Sequence, residues 1–291
     1  MRLAAMVSGK LGFQTLKSLE DGHEVIGIFT DKGSQAIIDY AEQNQLDFFI
    51  GNPRNGKASG FIANKETDVL LSVNYLFLIE EDLIQWPKTA AINLHGSLLP
   101  KYRGRTPHVW AIINNEKATG VTAHLISKGC DEGAIILQKE IMIDPEDTGA
   151  SILAKYEELY PDLVNEVLNQ IAKGEMNPKK QDESLATYFG KRTPEDGEIN
   201  WNWQKERIMN WVRAQAYPYP GAFTWLDDQK VIIDRVDEDN FGFQQTMQNG
   251  MILTDNPIRV KTPNGILRII ELRHEIQSSL EGKKFRSNEN S

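Results

Sequence analysis

Between residues 2 and 95, short apolar runs alternate with stretches of helical periodicity. RLAAMVS reads as a buried strand, Gly9-Lys10-Leu11-Gly12 as a turn, FQTLKSLEDG as a helix ending at Gly22, and HEVIGIFTD as the next strand. Strands that are apolar on every position need cover on both faces, and a strand–turn–helix–strand repeat supplies it. This is the opening of a Rossmann-like unit with a parallel sheet. SQAIIDYAEQNQ, LDFFIG, DVLLSVN, a helix from about Glu80 and AAINLH carry the alternation on. The first turn is not G-x-G-x-x-G and no P-loop occurs, so the repeat alone specifies no dinucleotide site. From PGAFTWL onward the pattern changes to short β runs, KVIIDRVD, GMILTD, IRVKTPNG and ILRIIELR. Turns at Asp227-Asp228, Asn249-Gly250 and Asn264-Gly265 separate them, as in a small β-barrel. The expected fold is therefore α/β. A Rossmann-like domain over residues 1–190 precedes a smaller β-rich module, with its own helix NWQKERIMNWVRAQ, over 191–291.

Three further segments carry expectations. SILAKYEELYPDLVNEVLNQIAKG is a long amphipathic helix that Pro161 should kink or divide. EMNPKKQDESLATYFGKRTPEDGE is polar and rich in Pro and Gly, and reads as the linker. SSLEGKKFRSNENS reads as a frayed tail.

The chemistry concentrates between Ala91 and Asp131. Asn93 and His95 stand two apart at the end of a strand, where alternate residues share a face. Gly96, Pro100 and Gly104 then force a loop that carries Lys101, Arg103 and Arg105. The next strand, GVTAHLI, is read as ending at Asp131, with Gly133 permitting a turn that returns a carboxylate to the imidazole. Amide, imidazole, carboxylate and cationic loop suit acyl transfer. The imidazole manages protons, the carboxylate orients it, and the amide hydrogen-bonds a developing oxyanion. The competing reading is a structural histidine and an ordinary turn aspartate. Lys10, at the start of the first helix, faces a similar choice between an anion site and a solvated lysine. Cys130 is the one cysteine, so no internal disulfide forms; beside Asp131 it reads as a buried thiol rather than a nucleophile. His23, His108, His124 and His274 read as scattered, with no metal-ligand cluster.

Composition narrows the partners. The formal charge is 32 − 41 = −9, which disfavours nucleic acid, whose affinity rests on Lys and Arg at phosphates. No apolar run is long enough to span a membrane. MRLAAMVSGKLGF reads as a first strand, not a signal peptide, and the lone cysteine fits a reducing compartment, so a cytoplasmic protein is expected.

Asn93-Leu94-His95-Gly96-Ser97-Leu98-Leu99-Pro100, Tyr102-Arg103-Gly104, Thr119-Gly120-Val121-Thr122 and Asp131 closely resemble the 10-formyltetrahydrofolate-dependent formyltransferases. So do Arg192-Thr193-Pro194-Glu195-Asp196-Gly197, Ile199-Asn200-Trp201, Val212-Arg213-Ala214 and Pro218-Tyr219-Pro220-Gly221-Ala222-Phe223. Within that family HGSLLPKYRGR is most similar to the sugar-nucleotide N-formyltransferases. The resemblance implies an OB-like C-terminal module, a homodimer, and N10-formyltetrahydrofolate as formyl donor. It implies that Asn93, His95 and Asp131 are catalytic and that no metal is required. It assigns the folate to Phe77, Leu78, Ile79, Leu98, Leu99, Arg105, Ser127, Lys128, Gly129 and Cys130. Ser8, Gly9, Lys10, Asn74, Tyr75 and Arg103 are then candidates for a nucleotide-linked amino sugar. The first choice of acceptor is dTDP-4-amino-4,6-dideoxyglucose, on the way to a lipopolysaccharide O-antigen. Alternatives are a UDP-4-amino-4-deoxy-arabinose formyltransferase, a methionyl-tRNA formyltransferase, a formyltetrahydrofolate hydrolase and a non-catalytic Rossmann-like binding protein.

Overall fold

The computed structural model describes residues 1–19, 22–276 and 280–287. The first part alternates as its sequence predicts: β1 (Arg2–Val7), α1 (Gly9–Ser18), β2 (Glu24–Thr30), α2 (Gln35–Gln43), β3 (Phe48–Ile50), α3 (Ser59–Ile62), β4 (Val69–Val73), α4 (Glu81–Ile84) and β5 (Ala90–His95). After β5 come a two-residue strand β6 (Arg103–Gly104), α5 (Pro107–Ile113), β7 (Ala118–Leu125), β8 (Ile135–Met142), α6 (Gly149–Lys173) and a second two-residue strand β9 (Tyr188–Phe189). The seven-stranded sheet runs β3-β2-β1-β4-β5-β7-β8. Pairing is parallel from β3 to β5, and β7 is antiparallel to β5. Leu125 N–H to Ala134 O and Ile143 N–H to Lys117 O bracket the β7–β8 pair, so β8 runs antiparallel to β7. β1 after Arg2, and β4 apart from Ser72, are apolar because they are central and covered on both faces: Leu3, Ala4, Met6, Val7, Leu70 and Val73 are fully buried. Strand order reverses between β1 and β4. In open sheets of this kind, ligands bind outside the carboxyl ends of the strands at such a switch point.

Pro161 does not divide α6, which is one helix of 25 residues. Tyr156, Tyr160, Leu163, Val164, Val167 and Leu168 along it are all buried. Burial at roughly 1.5–3 kcal/mol per large apolar side chain outweighs the roughly 3 kcal/mol that an internal proline costs.

The C-terminal part holds α7 (Lys205–Ala214), β10 (Ala222–Leu226), β11 (Gln229–Asp239), β12 (Ile252–Asp255), β13 (Ile258–Thr262), β14 (Gly265–Leu272) and β15 (Phe285–Arg286). They form a six-stranded sheet in the order β12-β13-β14-β11-β10-β15. Its described pairs are antiparallel. A bridge between Met251 and Lys284 brings its two edges together, so the module is nearly a closed barrel. This corrects the expected frayed tail. Phe285 is fully buried, stacks on Trp201 and pairs with Leu226; residues 277–279 and 288–291 lie outside the described residues. Trp201 and Trp211 are buried, and their indole N–H groups donate to Thr224 Oγ1 and Gly197 O respectively.

By contact the chain divides into two compact units, one of residues 1–107, 119–141 and 154–189, the other of 108–118, 142–153 and 190–291. Among the described residues no helix is long and apolar enough to cross a membrane.

Candidate active site

β5 and β7 pair with Asn93 opposite His124 and His95 opposite Thr122. Directly opposed side chains in a sheet point to the same face. Asn93 and His95, two apart, therefore meet His124 on the neighbouring strand. Asp131 joins them, though not from the end of a strand. β7 ends at Leu125, and Asp131 lies six residues further on, in the connection to β8. Its φ of 57° is left-handed, an uncommon state for a residue with a side chain. A strand would have carried the carboxylate away along its axis; the loop turns it back.

The distances define the centre. Asp131 Oδ2 is 3.5 Å from His95 Nδ1, and Oδ1 is 3.6 Å from His124 Nε2. The Gly104 N–H donates to Asp131 Oδ2 at 2.9 Å. Tyr102 O lies 2.8 Å from His95 Nε2, and a carbonyl only accepts, so Nε2 carries the proton and Nδ1 of the neutral ring faces the carboxylate. In the same way Leu125 O, 2.9 Å from His124 Nδ1, fixes that ring's proton on Nδ1. Asn93 Nδ2 then donates to His124 Nε2 at 3.1 Å, which orients the Asn93 amide and leaves it a second N–H. His124 is the residue that reading the chain linearly passed over as scattered. The signal was the antiparallel register: Asn-x-His on β5 lies against Thr-x-His on β7.

Burial holds His95 below the usual histidine range, opposed by the Asp131 charge and the bond to Tyr102 O. Burial would raise the Asp131 carboxyl, but His95, His124 and the Gly104 N–H together hold it well below the usual carboxylate range. At neutral pH the centre is a neutral imidazole beside an ionised carboxylate. That pair can take a proton from an attacking nucleophile and stabilise the imidazolium that results.

Cys130 is exposed rather than buried. Its thiol donates to Asp131 Oδ2 at 3.4 Å. Loss of solvent around the sulfur and the neighbouring Asp131 charge push it up to about 11, so it is a poor nucleophile at neutral pH.

The other expected residues fall into two groups. Arg105 is exposed and its Nη2 donates to Leu76 O at 3.1 Å. Lys128 Nζ is 3.7 Å from Glu81 Oε2, and the Arg105 charge is felt at Cys130. Thus the 76–81, 105 and 127–130 segments converge. Leu78 is 63% exposed there, while Phe77 and Ile79 pack onto the core. Leu99 is buried with its N–H on Thr122 Oγ1, and Leu98 packs over Gly120. At the β1/β4 switch point, Asn74 Nδ2 donates to Ser8 O at 3.1 Å and the Gly9 N–H to Ser34 Oγ at 2.9 Å. Tyr75 is buried with its hydroxyl donating to Gly51 O, and Lys10 pairs with Glu157 at 2.7 Å.

Arg103 requires a correction. It is fully buried, and its guanidinium donates to Gln181 Oε1, to both Glu183 carboxylate oxygens and to the Tyr188 hydroxyl. Its charge is spent inside the protein, so it is not a substrate contact. The 179–189 segment, expected as linker, is what encloses it.

A Rossmann-like unit that gathers Asn, His and Asp at the carboxyl end of β5, followed by an antiparallel barrel module, defines the chain's class. Residues 2–168 match the formyl transferase family and residues 191–289 its C-terminal domain. The chain belongs to the formyl transferase family, and it spans about two fifths of the length of the curated relative that it matches. It is 35% identical over 269 residues to the bifunctional polymyxin resistance protein ArnA of Wigglesworthia glossinidia brevipalpis, a match that covers 91% of this chain and 40% of that protein. Among solved structures it is similar to WlaRD, a sugar 3N-formyl transferase crystallised with dTDP and 5-N-formyl-THF. The TM-score is 0.74 at 20% identity, over 95% of this chain and 99% of the other. It is equally similar to the N-formyltransferase from Helicobacter canadensis in complex with folinic acid and dTDP-3-aminofucose. There the TM-score is 0.74 at 19% identity, over 93% and 98% of the two chains.

Proposed function

We propose that the chain moves a formyl group from N10-formyltetrahydrofolate to the amine of a nucleotide-linked amino sugar, with dTDP-4-amino-4,6-dideoxyglucose as the first choice of acceptor. The observation that carries this reading is the meeting of Asn93, His95 and Asp131 from one strand and a loop, with His95 neutral and Asp131 ionised. The names of the two similar structures, both tied to dTDP or a dTDP-linked amino sugar, support the acceptor class. The choice of carbon 4 rests on the HGSLLPKYRGR resemblance alone.

When bound, N10-formyltetrahydrofolate supplies the formyl carbon. Residues 77–79, Arg105 and residues 127–130 would hold it. The fit is chemical: a pterin has apolar faces and a hydrogen-bonding edge, and an exposed Leu78 beside the peptide groups of 127–130 matches both. His95 takes the proton of the attacking amine on Nδ1 and gives it back to the folate nitrogen, the leaving group, as the bond between that nitrogen and the formyl carbon breaks. Asp131 stabilises the resulting imidazolium, and Tyr102 O keeps the ring turned toward it. Asn93 directs its second N–H to the formyl oxygen as negative charge grows there. Proton transfer of this kind is worth roughly 10²–10⁴ in rate. Ser8, Gly9, Lys10 and Asn74, at the switch point, would take the sugar nucleotide. The same reading has the enzyme acting in the cytoplasm as a homodimer, its formamido sugar entering an O-antigen.

The test is a panel of acceptors at equal formyl donor: dTDP-4- and dTDP-3-amino sugars, UDP-4-amino-4-deoxy-arabinose and methionyl-tRNA, scored by tetrahydrofolate release and by formamide product. Preference for a dTDP-amino sugar is the expected result. Preference for the UDP-arabinose amine moves the acceptor to the alternative within the sugar branch, and preference for methionyl-tRNA overturns the sugar reading.

A further inference from the structure

The 179–189 segment supplies no reacting group, yet the Asp131 turn and the 102–105 loop both lean on it. Gln181 is 4% exposed. Its Nε2 donates to two carbonyls of the Asp131 turn, Asp131 O and Gly133 O, each at 2.7 Å. Its Oε1 accepts from Arg103 Nη2 at 2.8 Å and from Nε at 3.2 Å. A single side-chain amide thus joins the turn that carries Asp131 to the loop that carries Tyr102, Arg103 and Gly104. That loop is itself paired to the segment. Arg103 N–H donates to Thr187 O and Arg105 N–H to Phe189 O, while Tyr102 N–H donates to Thr187 Oγ1. Tyr102 and Phe189 stack with ring centroids 4.9 Å apart. Lys179 bridges to Ile135, the first residue of β8.

The consequence is geometric. Tyr102 O orients His95, and the Gly104 N–H and the left-handed Asp131 backbone aim the carboxylate. Tyr102 is left-handed as well, at 61°. Two non-glycine residues in this state persist only if their surroundings over-determine them. For Asp131 the surroundings are the two carbonyls held by Gln181. An amide is required: it must donate twice at one end and accept from a guanidinium at the other, which a carboxylate cannot do.

We propose that Gln181 is a positioning residue for formyl transfer, holding the Asp131 turn so that the carboxylate meets His95. This rests on the catalytic assignment of Asp131 and His95 above. The experiment compares wild type, Gln181→Glu, Gln181→Met and Asp131→Ala in the full chain, with two readouts: kcat and KM for the sugar nucleotide and formyl donor, and the His95 imidazole titration followed by NMR. Gln181→Glu keeps the acceptor for Arg103 and removes both donors, so it isolates the hold on Asp131 even if Gln181→Met fails to fold. The expected result is a fall in kcat of about 10- to 100-fold with KM unchanged, the size of effect that a small misplacement of a reacting group produces. In Gln181→Met, with the carboxylate no longer held beside it, His95 should titrate lower than in wild type. Loss of stability alone moves neither readout. If Asp131→Ala is inactive while folded Gln181→Glu turns over at the wild-type rate, or changes only KM, the positioning role is overturned. An unshifted His95 in folded Gln181→Met overturns it too. If Asp131→Ala itself retains wild-type turnover, the catalytic assignment is what fails.

Discussion

Residues 91–131 and residues 179–189 build one centre by opposite means. The first stretch delivers Asn93, His95 and His124 from two buried strands, where the sheet fixes every position to the register of its neighbours. The second is largely polar, carries a two-residue strand and one turn of 3-10 helix, and works mainly through hydrogen bonds, with one ring stack of Phe189 on Tyr102. The strands make the site rigid because they are core. The 179–189 segment keeps two loops in left-handed backbone because it satisfies their carbonyls and amides. Reacting groups on strands need little support beyond the sheet, whereas a carboxylate on a loop needs a separate structure to aim it.

Substitutions separate the two contributions. The largest effect should come from the strand side: His95→Asn or Asp131→Ala cuts turnover by roughly two orders of magnitude or more while circular dichroism remains that of wild type. Initial rates of tetrahydrofolate release measure it; near-wild-type rates in both variants would sink the assignment. Gly104→Ala comes next. Gly104 has a φ of 105° and a Cβ there would collide with Phe189 O, so the substitution forces β6 from β9 and displaces the N–H that binds Asp131. A kcat loss of about 10- to 100-fold is expected from that displacement, and kcat equal to wild type would show that the 179–189 segment does not aim Asp131.

Arg103→Met should be smaller and different in kind. It leaves Gln181 Oε1 buried without its donor, which costs about 1–3 kcal/mol. Urea unfolding should record a lower midpoint, with a kcat loss well short of that in Asp131→Ala. An unchanged midpoint would mean that the buried guanidinium contributes nothing to the fold.

Acid tests the two buried histidines, His95 on β5 and His108 on α5. Burial lowers His95, and lowers His108 to about 4. Below pH about 6.5 the unfolded chain therefore binds protons that the folded chain does not, and stability falls as pH falls, by at most roughly 1.4 kcal/mol per pH unit per histidine. For His108 that loss continues down to pH about 4. Stability rising on acidification from pH 7 to 5.5 would contradict the buried neutral histidines. The smallest effect concerns Cys130. With its thiol at about 11, iodoacetamide at pH 8 should label it far more slowly than a free thiol, and Asp131→Asn should speed the labelling.

Legibility in the sequence followed the same division. The alternation of apolar strands and helices gave the parallel sheet, and Asn93 and His95 were readable because period-two geometry is local. His124 was not, since its approach depends on which strand pairs beside β5. The place of Asp131 was misread as a strand end because Ile126 extends the apolar run of β7 and the five polar or small residues after it, 127–131, follow without a proline. The 179–189 segment looked like linker because it lies within a polar, proline-bearing stretch, 175–198, and such sequence is the mark of both a solvated connection and a hydrogen-bonded brace. Only partners distant in sequence, Arg103 and the Asp131 turn, distinguish the two. Pro161 and the Phe285 tail erred in the opposite sense. Local signals for breakage and fraying were overridden by burial.

The account's central claim is that this centre transfers a formyl group to an amine. The most direct measurement is the stoichiometry between formyl donor consumed and formamido sugar nucleotide formed, for wild type and Asp131→Ala side by side. The account predicts one formamide per formyl group lost in wild type and neither reaction in Asp131→Ala. Donor consumed with free formate released and the amine untouched would make the enzyme a hydrolase and contradict the claim.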